Sequence, residues 1–238
     1  TVSLNDYLIF LHKIARRAVK QRTIKRDPFA GYKLESVPVN HRYLTGEQFA
    51  KLTGVELPTY RLCHARDLFV FSTFTGLGRA DLANLTSENI VTEPDGSRWI
   101  HIERQKTKAE CHIKLLDIPS RIIDKYKGEG KDGKLFFVPA TSSLCRSLKM
   151  IEEQCKLGCH LTFYMARHSF ATLICLGNGV PIETISRMMG HSSIRTTQIY
   201  AEITNQKVNR DLLRLADTTK NQYSLPDDKM TPRVYQCG

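Results

Sequence analysis

Two kinds of hydrophobic periodicity alternate along this chain of 238 residues, and their order restricts the fold that it can adopt. Most segments place apolar residues at helical spacing, but residues 90–115 contain short β-like pieces joined by two polar turns, Pro94-Asp95-Gly96 and Lys106-Thr107-Lys108. The pieces are Ile90 to Thr92, Trp99 to Glu103 and Cys111 to Leu115. This order predicts a mainly α fold with a small antiparallel three-stranded β-sheet.

Helices are predicted on both sides of this sheet. Thr45 and Gln48 have the spacing of a capping box before one helix, and a longer apolar run covers residues 60–74. Further helical patterns cover residues 79–85, 119–127, 141–156 and, continuously, 166–216. The residues that interrupt the patterns are Gly76, Gly78, Gly177, Gly179 and Gly190, and Pro181 fits a first helical turn.

The first 40 residues predict a helix followed by a linker. Apolar residues recur from Leu4 to Ala15, and the same helix is expected to continue through residues 14–26, which hold six basic residues and no acid. This basic end is either a solvated surface or a strap along DNA phosphates, with Arg16, Arg17 and Lys20 as the contacts. Residues 27–40 contain two prolines and a glycine without periodicity, which predicts a linker. Because the chain opens with Thr1 inside a helical pattern, we expect a fragment of a longer protein.

The charge balance indicates an anionic partner. The chain has 35 basic and 24 acidic side chains, a formal charge of +11, which favours nucleic acid. No stretch approaches the roughly 18 apolar residues of a membrane span, so we expect a cytoplasmic protein. The seven cysteines lack paired CxxC spacing, and the one candidate metal cluster, Cys155, Cys159 and His160, lacks a fourth ligand. We therefore expect no metal.

Residues 180–200 have the rhythm of a helix-turn-helix, with the turn at Gly190. The expected core contacts are Ile185, Met188, Ile194 and Ile199. If the protein is only a DNA-binding module, Arg195 and Gln198 face a groove, and Tyr200 is a half-buried aromatic at a helix end.

Three motifs together give a more specific interpretation. TGLGRADL at 75–82, FYMARHSFATL at 163–173 and GHSSIRTTQIY at 190–200 resemble the signature of the tyrosine recombinase (phage integrase) family, and the resemblance extends over residues 41–205. The segments WIHIERQKTK, GVPIETISRMMGH and TTQIYAEI most resemble those of integrases of Bacteroides-type conjugative transposons. The resemblance implies a catalytic domain over residues 41–217 and the end of a core-binding domain over residues 1–26. Residues 218–238 have no core pattern, which predicts a flexible tail.

The resemblance also implies catalytic roles for individual residues. Tyr200 matches the nucleophile that forms a 3′-phosphotyrosyl bond, and Arg167 matches an arginine that holds phosphate oxygens. His191 matches the histidine that binds phosphate or moves a proton. Lys106 matches a lysine that protonates the leaving 5′-oxygen, and Lys108, two residues away, is an alternative.

Two positions depart from the pattern of the family. An arginine usually follows TGL directly, but Gly78 stands there and Arg79 comes one residue later. We assign the role of the first catalytic arginine to Arg79, although another basic residue can fill that role. Tyr164 stands where a histidine usually precedes Arg167 by three residues, and its hydroxyl can still donate a hydrogen bond to phosphate. His168, next to Arg167, is expected to pack in the core or to support the catalytic residues rather than to be catalytic itself.

The predicted function is therefore site-specific cleavage and rejoining of double-stranded DNA for integration or excision of a bacterial mobile element. No GxxxxGK[ST] motif is present, so neither ATP nor another cofactor is expected. We expect the protein to assemble as a homotetramer on DNA and to act with accessory DNA-bending or excision factors. An amphipathic run from Val208 to Ala216 is expected to pack on a neighbouring protomer or on its own domain. A non-catalytic DNA-binding protein and a relaxing enzyme of the type IB topoisomerase kind remain the alternatives.

Overall fold

The computed structural model describes residues 2–31, 42–200, 212–213 and 215–216, and the chain divides into two compact units, 1–41 and 42–238. In the first unit, helix α1 spans Val2–Lys20. In the second, the helices are α2 Gly46–Gly54, α3 Tyr60–Thr75, α4 Arg79–Asn84, α5 Asp117–Lys125, α6 Thr141–Cys155, α7 Phe163–Ser169, α8 Ile182–Met189 and α9 Arg195–Gln198. The strands are β1 Ile90–Thr92, β2 Arg98–Glu103 and β3 Glu110–Lys114.

Helix α1 ends earlier than the sequence pattern predicts. The amide of Thr23 donates to the carbonyl of Ala18, and the amide of Arg22 donates to that of Val19, both at 2.9 Å. Arg22 adopts a left-handed backbone with φ of 58°, so these bonds form the turn that closes a helix C-terminus. The expected continuation to residue 26 is wrong because this turn reverses the chain without the usual glycine. Most of the predicted linker, residues 32–40, lies outside the described residues.

The predicted sheet is confirmed as an antiparallel meander in the order β1-β2-β3. Ile100 of β2 lies opposite Ile90 of β1 and Ile113 of β3. Ile100, Ile113 and Cys111 are buried, because alternate strand residues face the helices. Residues two apart on β2 therefore share this inner face.

Helix α3 lies in the centre of the second unit and is buried along most of its length. Its buried hydroxyl groups donate to nearby carbonyls, as Thr73 does to Phe69 at 3.0 Å and Thr75 does to Phe71 at 2.8 Å, which lets polar residues enter the core. The helix ends at Gly76, whose φ is 67° and where a Cβ would lie 2.5 Å from the ring of Phe170. Only glycine fits this turn.

After residue 162 the chain forms several helical segments that are interrupted at Gly179 and Gly190, as predicted, but not all of them are α-helical. Helix α7 passes into a π-helical segment, Phe170–Cys175, and a 3-10 turn, Leu176–Asn178. Pro181 then caps α8, and Gly190 ends α8 in a left-handed conformation, as expected of the helix-turn-helix rhythm. The rhythm also predicted that Ile199 is a core residue, but Ile199 is 41% exposed, because Tyr200 takes the buried position beside it.

A second hydrophobic cluster forms around the end of this region, next to the main core. Its buried members are Phe170, Ala171, Cys175, Ile185, Met189 and Tyr200. In the predicted amphipathic run after it, Leu212 and Leu215 are exposed, whereas Val208 and the tail from 218 to 238 lie outside the described residues. In the part of the chain that is described, no helix has the length and apolarity to cross a membrane.

A buried carboxylate joins α3 to α5. Asp67 is 7% exposed and accepts hydrogen bonds from Lys125 at 2.6 Å, Tyr126 at 2.8 Å and Arg66 at 2.9 Å. Burial raises the pKa of the Asp67 carboxyl, but these three donors outweigh burial and hold the pKa below its usual value. Asp67 therefore stabilises the folded state as an anion.

We expect Asp67→Ala to lower the free energy of unfolding by about 3 kcal/mol at pH 7, because the change leaves the buried hydroxyl of Tyr126 unpaired and removes the carboxylate that Arg66 and Lys125 share. Urea denaturation measures this loss. Since the folded pKa is depressed, the contribution is present above about pH 4 and disappears as pH falls through the folded value. Asp124→Ala is the matched control, since its exposed pair with Arg98 contributes less than about 1 kcal/mol. Equal losses for the two variants would contradict the argument.

Candidate active site

Arg167 of α7 lies at the centre of the candidate site. Its Nη1 donates to the carbonyl of Gly76 at 2.5 Å, and its Nη2 donates to the carbonyl of Met189 at 2.8 Å. The first bond shows what the TGLG motif does here: its glycine turn presents a backbone oxygen to the arginine. Burial, and then the charge of Arg104, lower the pKa of Arg167, so the guanidinium is held where an anion would stabilise it.

His191 is joined to Arg167 and has a defined tautomer. The Nε2 atom of His191 lies 3.0 Å from Nη2 of Arg167, and its Nδ1 atom lies 2.8 Å from Oγ1 of Thr197. Because a guanidinium only donates, Nε2 must accept, and the proton of the neutral ring is assigned to Nδ1, from which it is donated to Thr197. Thr197 is buried and fixes the ring orientation.

The electrostatic surroundings keep His191 neutral. Burial, together with the positive charges of Arg167 and Arg104, lowers the pKa of His191 to about 4. The ring therefore presents an acceptor nitrogen, rather than a second donor, at neutral pH.

Tyr200 packs against these groups just after α9 and is 4% exposed. Its ring stacks on His191 with a centroid separation of 6.3 Å and meets His168 edge-on at 4.9 Å. Burial, followed by the interaction with Tyr164, raises the pKa of Tyr200 to about 12, and the charge of Arg167 opposes that rise. Hydrogen bonding with Tyr164 adds to the rise in this pKa, and hydrogen bonding with Arg167 opposes it. Tyr200 is thus a protonated phenol in contact with an arginine.

Tyr164 and His168 continue this cluster towards the surface. Tyr164, at the start of α7, is 61% exposed, and its ring meets His168 edge-on at 4.4 Å. His168 is 3% exposed and lies between the rings of Tyr164 and Tyr200. His168 is therefore a packing residue, as expected, while Tyr164 borders both the solvent and Tyr200.

The turn between β2 and β3 lies against the end of α8. Thr107 donates from Oγ1 to the carbonyl of Gly190 at 3.0 Å, which tethers the turn next to His191. Lys106, the preceding residue, is exposed. Lys108 has a φ of 56° and pairs with Glu103 at 3.3 Å. The turn that carries Lys106 thus lies at the border of the site, whereas Lys108 forms an ion pair within its own hairpin.

Arg79 points to a different place. Its Nη1 donates to the carbonyl of Pro139 at 3.2 Å, on the loop before α6. Among the described residues, the hydrogen bonds and ion pairs of Arg79 do not include Arg167, His191 or Tyr200.

Arg104 is the site residue that sequence reasoning missed. It is 3% exposed, donates to Asp81 at 3.0 Å and to the carbonyl of Met188 at 3.0 Å, and its charge affects both Arg167 and His191. A signal was present in the sequence, because strand alternation places residue 104 on the same face as the buried Ile100. A charged residue on the buried face of a strand needs a specific partner.

The remaining candidate DNA contacts are surface residues. Arg16, Arg17 and Lys20 are exposed on α1, and Arg195 is exposed at the start of α9. Exposure leaves all four able to meet phosphate.

The cysteine-histidine cluster shows a different set of contacts from a metal site. Cys155 is buried, and His160 lies with Nδ1 3.3 Å from Glu152. Within the described ranges, no group of three or more His, Cys, Asp and Glu side chains is arranged to hold a metal ion.

Comparison with known proteins assigns the chain to a family. The profile described as Phage integrase family matches residues 42–207, and the chain therefore belongs to this family. The chain is 28% identical to the tyrosine recombinase XerA of Saccharolobus solfataricus over 149 residues, which is 62% of this chain and 49% of the relative. It is 29% identical to XerA of Thermococcus onnurineus over 174 residues, 68% of this chain and 58% of the relative. The chain thus spans about half the length of these curated relatives.

Solved structures share the fold. A Tn1549 transposon integrase fragment in complex with a circular intermediate DNA has a TM-score of 0.66 at 19% identity, covering 90% of this chain and 79% of that chain. A lambda integrase dimer bound to a COC′ core site has a TM-score of 0.65 at 18% identity, covering 82% and 71%. XerA recombinase has a TM-score of 0.59 at 19% identity, covering 88% and 82%. The mainly α fold with a three-stranded sheet is thus the fold of these recombinases.

We expect His191 to keep its proton on Nδ1 and to stay neutral from pH 8 to pH 6, because two guanidinium charges and burial oppose a second proton. Nitrogen-15 chemical shifts of the ring, followed through a pH titration, measure both properties. The same protein unfolded in urea is the control, since a free histidine titrates near pH 6.5. As the folded pKa is the lower one, stability should fall as pH drops from about 6.5 towards 4. A folded-state titration near pH 6.5 would refute this assignment.

Gly190→Ala should disturb both stability and the site. The φ of Gly190 is 64°, and a Cβ there would lie 2.6 Å from Sγ of Cys111 and 2.7 Å from Cγ of Arg104. We expect a loss of about 3 kcal/mol in urea denaturation, combining backbone strain with overpacking. Gly96→Ala is the control, because its φ is 79° and its Cβ would meet open space, so only about 1 kcal/mol is expected. A similar loss at both positions would rule out the packing role of Gly190.

Proposed function

We propose that this protein is a site-specific DNA recombinase that cleaves and rejoins strands through a covalent bond to Tyr200. The observation that carries the proposal is the contact set of Arg167, which joins His191 and Tyr200 in one cluster although the three residues are far apart in sequence. A guanidinium beside a phenol and a neutral imidazole can hold a phosphate next to a nucleophile.

A phosphate bound to Arg167 lies next to the hydroxyl of Tyr200, because both would share the same guanidinium. Phosphoryl transfer passes through a pentacoordinate state with more charge on its nonbridging oxygens than the starting diester carries. Donors that are already fixed in place stabilise that added charge. The carbonyls of Gly76 and Met189 supply this fixation by holding Arg167 from two sides.

The strand-cleavage step balances with the groups in the cluster. The Tyr200 oxygen forms a bond to phosphorus, the bond from phosphorus to the 5′-oxygen breaks, and a 3′-phosphotyrosyl link remains. The phenolic proton passes to Nε2 of His191, and Lys106 donates a proton to the leaving 5′-oxygen. Reversal by another 5′-hydroxyl rejoins the strand, so bond energy is conserved without ATP.

The resting protein keeps this nucleophile inactive until DNA binds. Tyr200 has a pKa of about 12 and His191 a pKa of about 4, so neither group favours proton transfer in the free protein. A bound phosphate carries negative charge and opposes the guanidinium charges that lower the pKa of His191. Substrate binding therefore makes the histidine a better base for the phenol.

Two further residues belong to the proposed site. Lys106 stands on a turn tethered to Gly190 through Thr107, close enough to the end of α8 for its flexible side chain to reach a leaving group. Tyr164 stands at the exposed side of Tyr200, where its hydroxyl positions the nucleophile and can donate to phosphate.

The proposed partner is double-stranded DNA, held by the catalytic domain over residues 41–217. Residues 1–26 are proposed to be the end of a core-binding domain, with 27–40 as the linker. The proposed phosphate contacts are Arg16, Arg17, Lys20, Lys108 and Arg195. The net charge of +11 supports this partner, as do relatives described as bound to DNA, such as the lambda integrase dimer.

The biological setting proposed is a mobile element of the Bacteroides conjugative-transposon type, acting in the bacterial cytoplasm. The Tn1549 transposon integrase among the similar structures supports an element of this general kind. A homotetramer around two duplexes, with accessory DNA-bending or excision factors, completes the proposal.

We expect a denaturant-resistant adduct between Tyr200 and DNA when the protein is incubated with nicked duplexes that tile both ends of the element carrying its gene. The nick lets the short 5′-hydroxyl fragment diffuse away, so the covalent bond persists. Gel electrophoresis in SDS detects the adduct, and peptide mapping locates it.

Tyr200→Phe is the control, because it removes only the attacking oxygen, and it should abolish the adduct. Binding of these duplexes without any adduct would favour a non-catalytic DNA-binding protein. Relaxation of supercoiled DNA lacking those ends would favour an enzyme of the topoisomerase kind.

A further inference from the structure

A buried arginine at the end of β2 has the contacts of a functional group rather than of a packing residue. Arg104 is 3% exposed, and its Nη1 lies 3.0 Å from Oδ2 of Asp81. Its Nη2 donates to the carbonyl of Met188 at 3.0 Å. The other carboxylate oxygen of Asp81 accepts from the amide of Gln105, so Asp81 of α4 fixes both the arginine and the strand end.

The guanidinium of Arg104 lies beside that of Arg167. Arg104 binds the carbonyl of Met188 and Arg167 binds that of Met189, so the two cations occupy successive positions at one helix end. Among the described residues, Asp81 is the carboxylate that pairs with either of them. The buried Arg104 and the half-buried Arg167 share one anion, which leaves an excess positive charge, and a bound anion would relieve that excess.

Arg104 also has an N–H group that is not used in a hydrogen bond within the described residues. A guanidinium carries five N–H groups. The Nε atom of Arg104 is buried and has no hydrogen-bond partner among the residues that the structure describes. An unsatisfied buried donor on a cation costs stability, which indicates a ligand that pairs with it.

The backbone at Gly190 allows this placement. A Cβ at Gly190 would lie 2.7 Å from Cγ and 3.3 Å from Nε of Arg104. The arginine therefore crosses directly over the residue that precedes His191. This close approach puts its free N–H next to the segment that carries a proposed phosphate-binding group.

Arg79, in contrast, forms its hydrogen bond outside this cluster. It lies two residues before Asp81 on α4, partly exposed, and donates to the carbonyl of Pro139. Asp81 holds Arg104 at the cluster while Arg79 holds a different loop.

We propose that Arg104 supplies the second phosphate-binding guanidinium of the site, in the place that the family resemblance assigns to an arginine of α4. This inference rests on the proposed strand cleavage by Tyr200. Arg104 and Arg167 then bind the two nonbridging oxygens of the scissile phosphate, and Asp81 is the positioning residue that aims Arg104.

The test compares two scissile groups in the trapping assay: the natural phosphate, and a methylphosphonate in which a methyl group replaces one charged oxygen. On natural phosphate, Arg104→Ala should form the Tyr200 adduct about 10² to 10³ times more slowly than the unchanged protein. On the methylphosphonate, which is uncharged, the difference should shrink to less than about tenfold, because there is less charge to stabilise. The ratio of the two rates for one preparation does not depend on how much of the variant is folded.

Matched variants define the comparison. Arg98→Ala removes another arginine of β2 that pairs with a carboxylate, at 3.0 Å from Asp124, and both of its rates should stay within about twofold of the unchanged protein. Arg104→Lys keeps the charge without the fork and should lose about tenfold on natural phosphate. Arg79→Ala should lose less than about threefold on either substrate.

Each outcome decides between named alternatives. If Arg104→Ala slows both substrates equally, Arg104 has a structural role and the inference fails while strand cleavage stands. If Arg79→Ala, rather than Arg104→Ala, shows the charge-dependent loss, Arg79 holds the phosphate instead. If the unchanged protein forms no adduct with any of the duplexes, the proposed function fails and this inference fails with it.

Discussion

Three consecutive carbonyl groups at the C-terminal end of α8 hold the candidate site together. Their donors are Arg104 on Met188, Arg167 on Met189 and Thr107 on Gly190. A helix C-terminus carries partial negative charge and unpaired carbonyls, so it stabilises cations that the protein interior would otherwise exclude. Through these bonds one short helix end fixes two arginines and a hairpin turn. The segment that carries His191 begins at the same helix end. The end of α8 therefore sets the positions of all these groups relative to one another.

The same arrangement sets the protonation states of the site. The two guanidinium charges and burial keep His191 neutral, and burial keeps Tyr200 protonated. The resting cluster therefore has excess positive charge and no strong base. A phosphate anion would add negative charge, and that charge would make His191 a stronger base. Asp81 and the carbonyls of α8 compensate part of the positive charge of the two arginines. In the proposed function, phosphate binding and activation of Tyr200 are therefore coupled through electrostatics.

Local patterns predicted much of the architecture, and their failures have identifiable causes. The three-stranded meander, the capping box at Thr45 and the turn at Gly190 follow from periodicity and from residues with restricted backbones, and all three are present. The end of α1 was missed because Arg22 adopts a left-handed conformation that glycine usually marks. Helical spacing predicts a core position for Ile199, but Ile199 is exposed and Tyr200, after the short helix, is buried instead.

The sequence by itself determined the family, the order of helices and strands, and the residue types that phosphate chemistry needs, because these depend on motifs and on short-range periodicity. Only the tertiary structure decided which arginines meet. Arg79 and Arg104 are 25 positions apart and both lie near Asp81 in sequence or in space, yet their side chains bind different partners. That choice depends on where α4, the hairpin and α8 come together, and on a missing Cβ at Gly190. No local pattern records such a meeting, since it arises from packing between segments that are remote in the chain.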